Sequence, residues 1–192
     1  MRFGLPIKLP PSRADIATSR SIRRHATPVI ERAGKVITFA ADEKPLLACA
    51  VLYWFYSRSS IVAPRRAKRA DHLLACVAVS AALPHVLKLF ISRQRPDRKL
   101  MHGQPRHGIP HSGDPKASFP SGHAIHLGAI AAGLTRTASR PLAIMGWASA
   151  LVLSSTRLLL LAHYLTDVLS GLAIGAAIEG IVAQITTPRR LP

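Results

Sequence analysis

From Pro45 onward the chain alternates between long apolar stretches and short basic connectors, with apolar runs at 45–63, 72–91, 121–135, 141–156 and 163–185. The first run holds one charge, Arg58, near its end, where a long side chain can snorkel to the interface beside Tyr53, Trp54 and Tyr56. The second is interrupted by Pro84, His85 and Lys88. A bilayer core takes about 20 residues of helix, a length that some runs reach only with polar residues at their ends. The pattern predicts five membrane-spanning helices. Before them, residues 1–41 are polar and basic, and Val29, Ile30, Ala33, Val36, Ile37 and Ala40 recur at helical spacing around Arg32 and Lys35. That spacing suits an amphipathic helix lying on a membrane surface, or else an ordinary helix packed on the domain. The expected fold is an all-α integral membrane helical bundle over residues 42–187. A basic segment with an amphipathic helix precedes it at 1–41, and a basic tail follows at 188–192.

Composition narrows the class. Of 192 residues, 48% are hydrophobic and 18% charged, which excludes a disordered polybasic chain, since such chains lack the apolar surface that offsets ordering entropy. Aromatic residues make up 5%, and abundant Ala and Leu favour helices over a β-sandwich. The net charge of +17 suits either nucleic acid or an anionic lipid surface. Several long, nearly uncharged stretches decide for the membrane and against nucleic acid. A mean hydropathy of only +0.21 keeps a water-soluble α-bundle as the competing reading. Cys49 and Cys76 sit in apolar runs, cannot form a disulfide framework and are expected as small core residues. No uninterrupted apolar core follows the first positive charges, which argues against a cleavable signal peptide.

The connectors suggest an orientation. Residues 64–70 carry Arg65, Arg66, Lys68 and Arg69, residues 136–140 carry Arg136 and Arg140, and the C-terminus adds Arg189 and Arg190. Five crossings put these segments on one face, cytoplasmic by the positive-inside rule. The basic N-terminal segment would then lie outside, which a surface-lying helix reconciles with that rule.

Charges in or beside apolar spans are costly, so their placement is informative. Three segments deliver such groups to the opposite face: Lys88 through Arg95-Pro96; Pro120-Ser121-Gly122-His123; and Arg157, His163 and Asp167. In order and spacing these segments resemble the three signatures of the type 2 phosphatidic acid phosphatase (PAP2) family, lipid phosphate phosphatases related to vanadium haloperoxidases. Thr156 stands where that family usually has Ser before the arginine, which keeps a hydroxyl.

The resemblance implies an α-helical membrane phosphatase with an extracytoplasmic site. Its substrate would be a lipid phosphomonoester or diphosphate: phosphatidic acid, phosphatidylglycerophosphate, a polyprenyl diphosphate or a polyprenyl-phosphosugar phosphate. Asp167, four residues from His163, is expected to share a helical face with it and fix its tautomer, leaving the other ring nitrogen to attack phosphorus and form a phosphohistidine. His123, at an expected helix N-terminus with Ser121 and Gly122, would protonate the leaving group and then activate water. Lys88, Arg95 and Arg157 would bind the phosphoryl oxygens with Ser121 and Gly122. Three cations make a metal unnecessary, the acidic residues are scattered, and neither metal nor cofactor is expected.

Other features have plainer readings. His102, His107 and His111 belong to a proline-rich loop at 92–119, expected as a solvated entrance. His126, three residues from His123, is near enough in sequence to approach the site but is expected to pack, and His85 is expected in the core, with a place just behind the site as the alternative. Gly171 and Gly175 form a small-xxx-small pair expected to pack helices within the subunit. Small size and terse loops suggest a bacterial inner-membrane protein. The alternatives are a soluble-type acid phosphatase or haloperoxidase-like enzyme, and a catalytically idle lipid-binding membrane protein.

Overall fold

The computed structural model describes residues 6–39, 42–59, 64–100 and 113–186. His102, His107, His111 and the basic C-terminal tail fall outside the described residues. Among the described residues there are eight helices: α1 (Arg13–His25), α2 (Pro28–Thr38), α3 (Glu43–Ser59), α4 (Pro64–Phe90), α5 (Pro96–Leu100), α6 (Gly122–Thr137), α7 (Arg140–Leu159) and α8 (Leu165–Thr186). Two short strands, β1 (Ile7–Lys8) and β2 (Ile91–Ser92), pair in parallel.

The five long helices α3, α4, α6, α7 and α8 correspond to the five apolar runs, with shifted ends. The basic connector 64–70 lies within α4, not in a loop, because Pro64 occupies the first position and Lys, Arg and Ala are strong helix formers. Pro84 sits inside α4 without ending it. Three helices, Arg66–Phe90, Arg140–Leu159 and Leu165–Thr186, are long and apolar enough to cross a membrane, while α3 and α6 have 17 and 16 residues. Outward-facing apolar residues recur on all five, among them Phe55, Val79, Ile130, Val152 and Ile185. Such a belt on a water-soluble bundle would be an aggregation surface; in a bilayer it is the lipid contact. The fold is an integral membrane helical bundle.

Its centre is the α6–α8 pair. Gly171, Gly175 and Gly128 let the two backbones approach so closely that a Cβ on Gly175 would lie 2.0 Å from the Ile125 carbonyl oxygen, and one on Gly128 2.2 Å from that of Leu172. Ala124, Leu127, Ala131, Ala150, Val168 and Leu172 form one core cluster around this contact. Ile125, Cys76, Ile178 and Val182 form another. Cys49, expected in the core, is exposed on α3; Cys76 is buried.

The N-terminal segment holds two helices, one of them unanticipated. In α2, capped by Thr27 with Pro28 at its start, Val29, Ile30, Val36 and Ile37 face outward while Glu31, Gly34 and Thr38 are buried. The apolar face therefore points away from the protein, as in a helix lying in the membrane interface. The earlier helix, α1, begins with a reciprocal cap: the Ser12 hydroxyl accepts from the Asp15 N–H (3.1 Å), and Asp15 accepts from the Ser12 N–H (2.9 Å). Its buried residues are Asp15 and Ser19, so it packs by a polar face.

Candidate active site

A cavity of about 520 Å³ opens at the end of the bundle where α4 finishes and α6 and α8 begin. Lys88 from α4, Arg95 from the segment after β2, Gly122 and His123 from the start of α6, Arg157 from the end of α7 and His163 from the turn before α8 all line it. Ser121 and Asp167 are fully buried behind the wall. The Ser121 hydroxyl and His123 Nε2 have no hydrogen-bond partner among the described residues.

His163 departs from its expected placement. It lies not on a helix with Asp167 but in the turn between α7 and α8. The Arg157 carbonyl accepts from the backbone N–H of both Ala162 (3.0 Å) and His163 (3.2 Å), and Leu161 adopts a positive φ of 51°, so the chain reverses before α8 starts. His163 Nδ1 meets the Ser118 carbonyl oxygen at 2.6 Å, whereas the Asp167 carboxylate is 3.8 Å away. A carbonyl can only accept, so Nδ1 carries the proton and Nε2 presents its lone pair. Asp167 acts one step back. It accepts from the Ser118 hydroxyl (2.5 Å) and the Tyr164 N–H (2.8 Å), and it pairs with Arg93. Burial holds the His163 ring near pKa 4 despite the nearby Asp167, with the charges of Arg95 and Arg157 adding to the depression.

Arg95 is fixed by three backbone carbonyls, of Asp114 (2.8 Å), Ala162 (2.8 Å) and Ala117 (3.1 Å), and its guanidinium lies 3.3 Å from His163 Nε2. A rigid fork beside a ring nitrogen is the arrangement that holds a phosphoryl oxygen next to an attacking atom. Arg157 reaches the Thr38 hydroxyl of α2 at 3.4 Å. Among the described residues no three His, Cys, Asp or Glu side chains cluster to hold a metal ion. Cationic donors and imidazoles together equip this cavity for an anion with several oxygens.

A family model described as the PAP2 superfamily matches residues 70–191. The chain belongs to that family. It is 31% identical over 158 residues to a lipid A 1-phosphatase of Rhizobium johnstonii, a match covering 77% of this chain and 64% of the relative. It is 32% identical over 130 residues to a decaprenylphosphoryl-5-phosphoribose phosphatase of Mycobacterium tuberculosis, covering 66% of each. The chain thus spans about two thirds of the length of these relatives. Among solved structures, LpxE of Aquifex aeolicus superposes with a TM-score of 0.69 at 19% identity, over 88% of this chain and 94% of that one. A transmembrane PAP2-type phosphatidylglycerolphosphate phosphatase of Bacillus subtilis gives 0.67 at 24% identity, over 93% and 88%.

Several residues of this PAP2 cavity escaped the sequence reading. His126, expected to pack, is buried yet lines the cavity. His85, expected in the core, is exposed and pairs with Glu43 at 3.2 Å, because the outer side of α4 faces the entrance there. Lys35, Thr38, Asp42 and Glu43 complete the wall from the N-terminal side. Ser118 acts through its carbonyl, which no side-chain motif reveals. Arg93 and Asp15 are buried behind the site, and only their burial distinguishes them from other charges in basic, polar segments.

Proposed function

We propose that this chain is a lipid phosphate phosphatase that hydrolyses a phosphomonoester or diphosphate on an amphiphile, without a metal, through a phosphohistidine. The reading rests on one observation: five side chains from three separate segments of the chain, Lys88, Arg95, His123, Arg157 and His163, line a single cavity. The names of the relatives agree with it. His163 Nε2 attacks phosphorus, the bond to the leaving oxygen breaks, and His123 supplies the proton that oxygen takes up. Water then surrenders a proton to His123 and attacks the phosphohistidine, and the phosphorus–nitrogen electron pair returns to Nε2. Lys88, Arg95 and Arg157 counter the charge on the equatorial oxygens, and the Ser118 carbonyl steadies the Nδ1–H while the ring turns cationic. Three fixed cations do the electrostatic work a metal would otherwise do.

The lipid tail remains in the bilayer while the phosphate reaches the cavity at the membrane boundary. The basic starts of α4 and α7 lie at the opposite end of the bundle, and by the positive-inside rule this supports a site facing the extracytoplasmic side of a bacterial inner membrane. The test is phosphate release in detergent from phosphatidic acid, phosphatidylglycerophosphate, lipid A and polyprenyl-linked phosphates. His163→Ala is expected to fall to background, and His123→Ala to lose about 10²–10⁴-fold in kcat. Vanadate should inhibit, and EDTA should not. Full activity in either variant, or loss of activity with EDTA that added metal restores, would overturn the mechanism.

A further inference from the structure

Helix α1 lies outside the stretch that the family model matches, yet its best-buried residue is an acid. Asp15 is 0% exposed. Pairing of β1 with β2 sets residues 7–8 beside 91–92, and the Leu9 N–H continues that pairing by donating to the Ser92 carbonyl (3.0 Å), so the start of α1 comes down next to Arg93. One carboxylate oxygen of Asp15 then accepts from Arg93 Nη2 (2.6 Å), the Thr166 hydroxyl (2.9 Å) and the Ser12 N–H (2.9 Å). The other accepts from the Thr166 N–H (2.9 Å). A helix cap needs only the Ser12 contact. Burying a charge is costly unless it is paired, and this one is spent on Arg93 and on the first turn of α8.

The contacts continue inward without a gap. Arg93 Nη1 donates to the Thr166 hydroxyl (2.8 Å) and to Asp167, and its guanidinium lies over the Tyr164 ring at 4.7 Å. Asp167 accepts from the Ser118 hydroxyl, and the Ser118 carbonyl holds His163 Nδ1. Asp15 is thus four contacts from the ring, on the side away from the cavity. Lys88, Arg95 and Arg157 take no part in this relay; Arg95 is held independently by carbonyls.

We propose that α1 is a positioning element of the reaction: Asp15 holds Arg93 between two carboxylates, which sets Asp167, Ser118 and hence the His163 ring. Without Asp15, the one other contact of Arg93 Nη2 among the described residues is the Pro10 carbonyl at 3.4 Å, and the guanidinium is drawn towards Asp167. Asp167 then shifts from Ser118, and Nε2 loses its aim at phosphorus while the cationic pocket stays intact. The proposal rests on His163 being the nucleophile.

Those two consequences separate in a measurement. In the full chain in detergent, Asp15→Asn is expected to lower kcat by about 10- to 10²-fold, the size of effect that a misaligned reacting atom produces, with KM within about two-fold. Inhibition by inorganic phosphate, which needs only the cations, should stay within about two-fold of wild type. Inhibition by vanadate, which needs a bond to Nε2, should weaken about ten-fold. Unchanged kcat in Asp15→Asn, or parallel changes in KM, phosphate and vanadate inhibition, would overturn the proposal. Should Asp15→Asn fail to fold, Thr166→Val, which removes the bridging hydroxyl at constant shape, is read by the same criteria and decides. His163→Ala assayed in parallel separates the two levels. If it stays active, the nucleophile assignment fails; if it is inactive while folded Asp15→Asn behaves as wild type, only the positioning role fails.

Discussion

At the scale of single residues, the proposed chemistry turns on which imidazole nitrogen is free. In His163 the choice is made by a carbonyl, since Ser118 O can accept only from a protonated Nδ1. The same burial gives the ring a pH signature. Its folded pKa of about 4 lies below the value of about 6.5 for an exposed imidazole. Above that exposed value both folded and unfolded chains hold a neutral ring, and His163 contributes no pH dependence. As pH falls through the window from about 6.5 to about 4, the unfolded chain takes up a proton that the folded ring refuses, so stability drops. Below the folded pKa the loss levels off, at an order of about 3 kcal/mol for this one group. The melting temperature in detergent should therefore fall between neutral pH and pH 4.5 by more in wild type than in His163→Gln, which has no proton to gain. Equal falls in the two proteins would show that the ring is not held neutral by its surroundings.

At the scale of elements, what the sequence revealed and what it hid follow one rule. Helices that bury or expose apolar surface were legible: the five long runs became α3, α4, α6, α7 and α8. Helix α1 was not, because its inner face carries Asp15 and Ser19 and a search for apolar periodicity passes over it. The signatures also located the cavity, but not the geometry behind it. His163 and Asp167, read as neighbours on one helix, are separated by a turn that positions each through Ser118. Gly171 and Gly175, read as packing residues, are where α8 meets α6. That contact sets the spacing between His123 at the start of α6 and the turn bearing His163. Gly175→Ala would drive a methyl group against the Ile125 carbonyl and the Ala129 N–H, which are backbone and cannot move aside. Forcing the helices apart should cost about 2 kcal/mol or more, lowering both melting temperature and activity. Gly180→Ala meets nothing within 4 Å and should leave activity alone while slightly favouring the helix, by up to about 1 kcal/mol. Similar effects of the two substitutions on melting and turnover would refute the close-contact account.

At the scale of the whole molecule, the three helices α4, α6 and α7 each run from one end of the bundle to the other. Lys68 and Arg69 begin α4 and Lys88 finishes it; His123 begins α6 and Arg136 finishes it; Arg140 begins α7 and Arg157 finishes it. The 20 residues from Lys68 to Lys88 rise about 30 Å, the thickness of a bilayer core. Positive charge stands at both ends, since α1 and α2 bring their own cations to the site end. Its setting differs, though. At the far end it stands in the first turns of α4 and around the short α6–α7 connector, next to the spans; at the site end it belongs to α1, α2, the cavity and the longer α4–α6 connector, where Arg98, Lys99 and Lys116 stand. The outward apolar face of α2 suits a helix lying in the membrane interface at the site end, where its charges do not flank a span. The site end should therefore face away from the cytoplasm. In a background carrying Cys49→Ser to remove the exposed native thiol, Lys116→Cys marks the site end and Ser139→Cys the α6–α7 connector, both at exposed positions. A membrane-impermeant maleimide should label the first in intact cells and the second only after lysis. The reverse pattern would put the cavity on the cytoplasmic side.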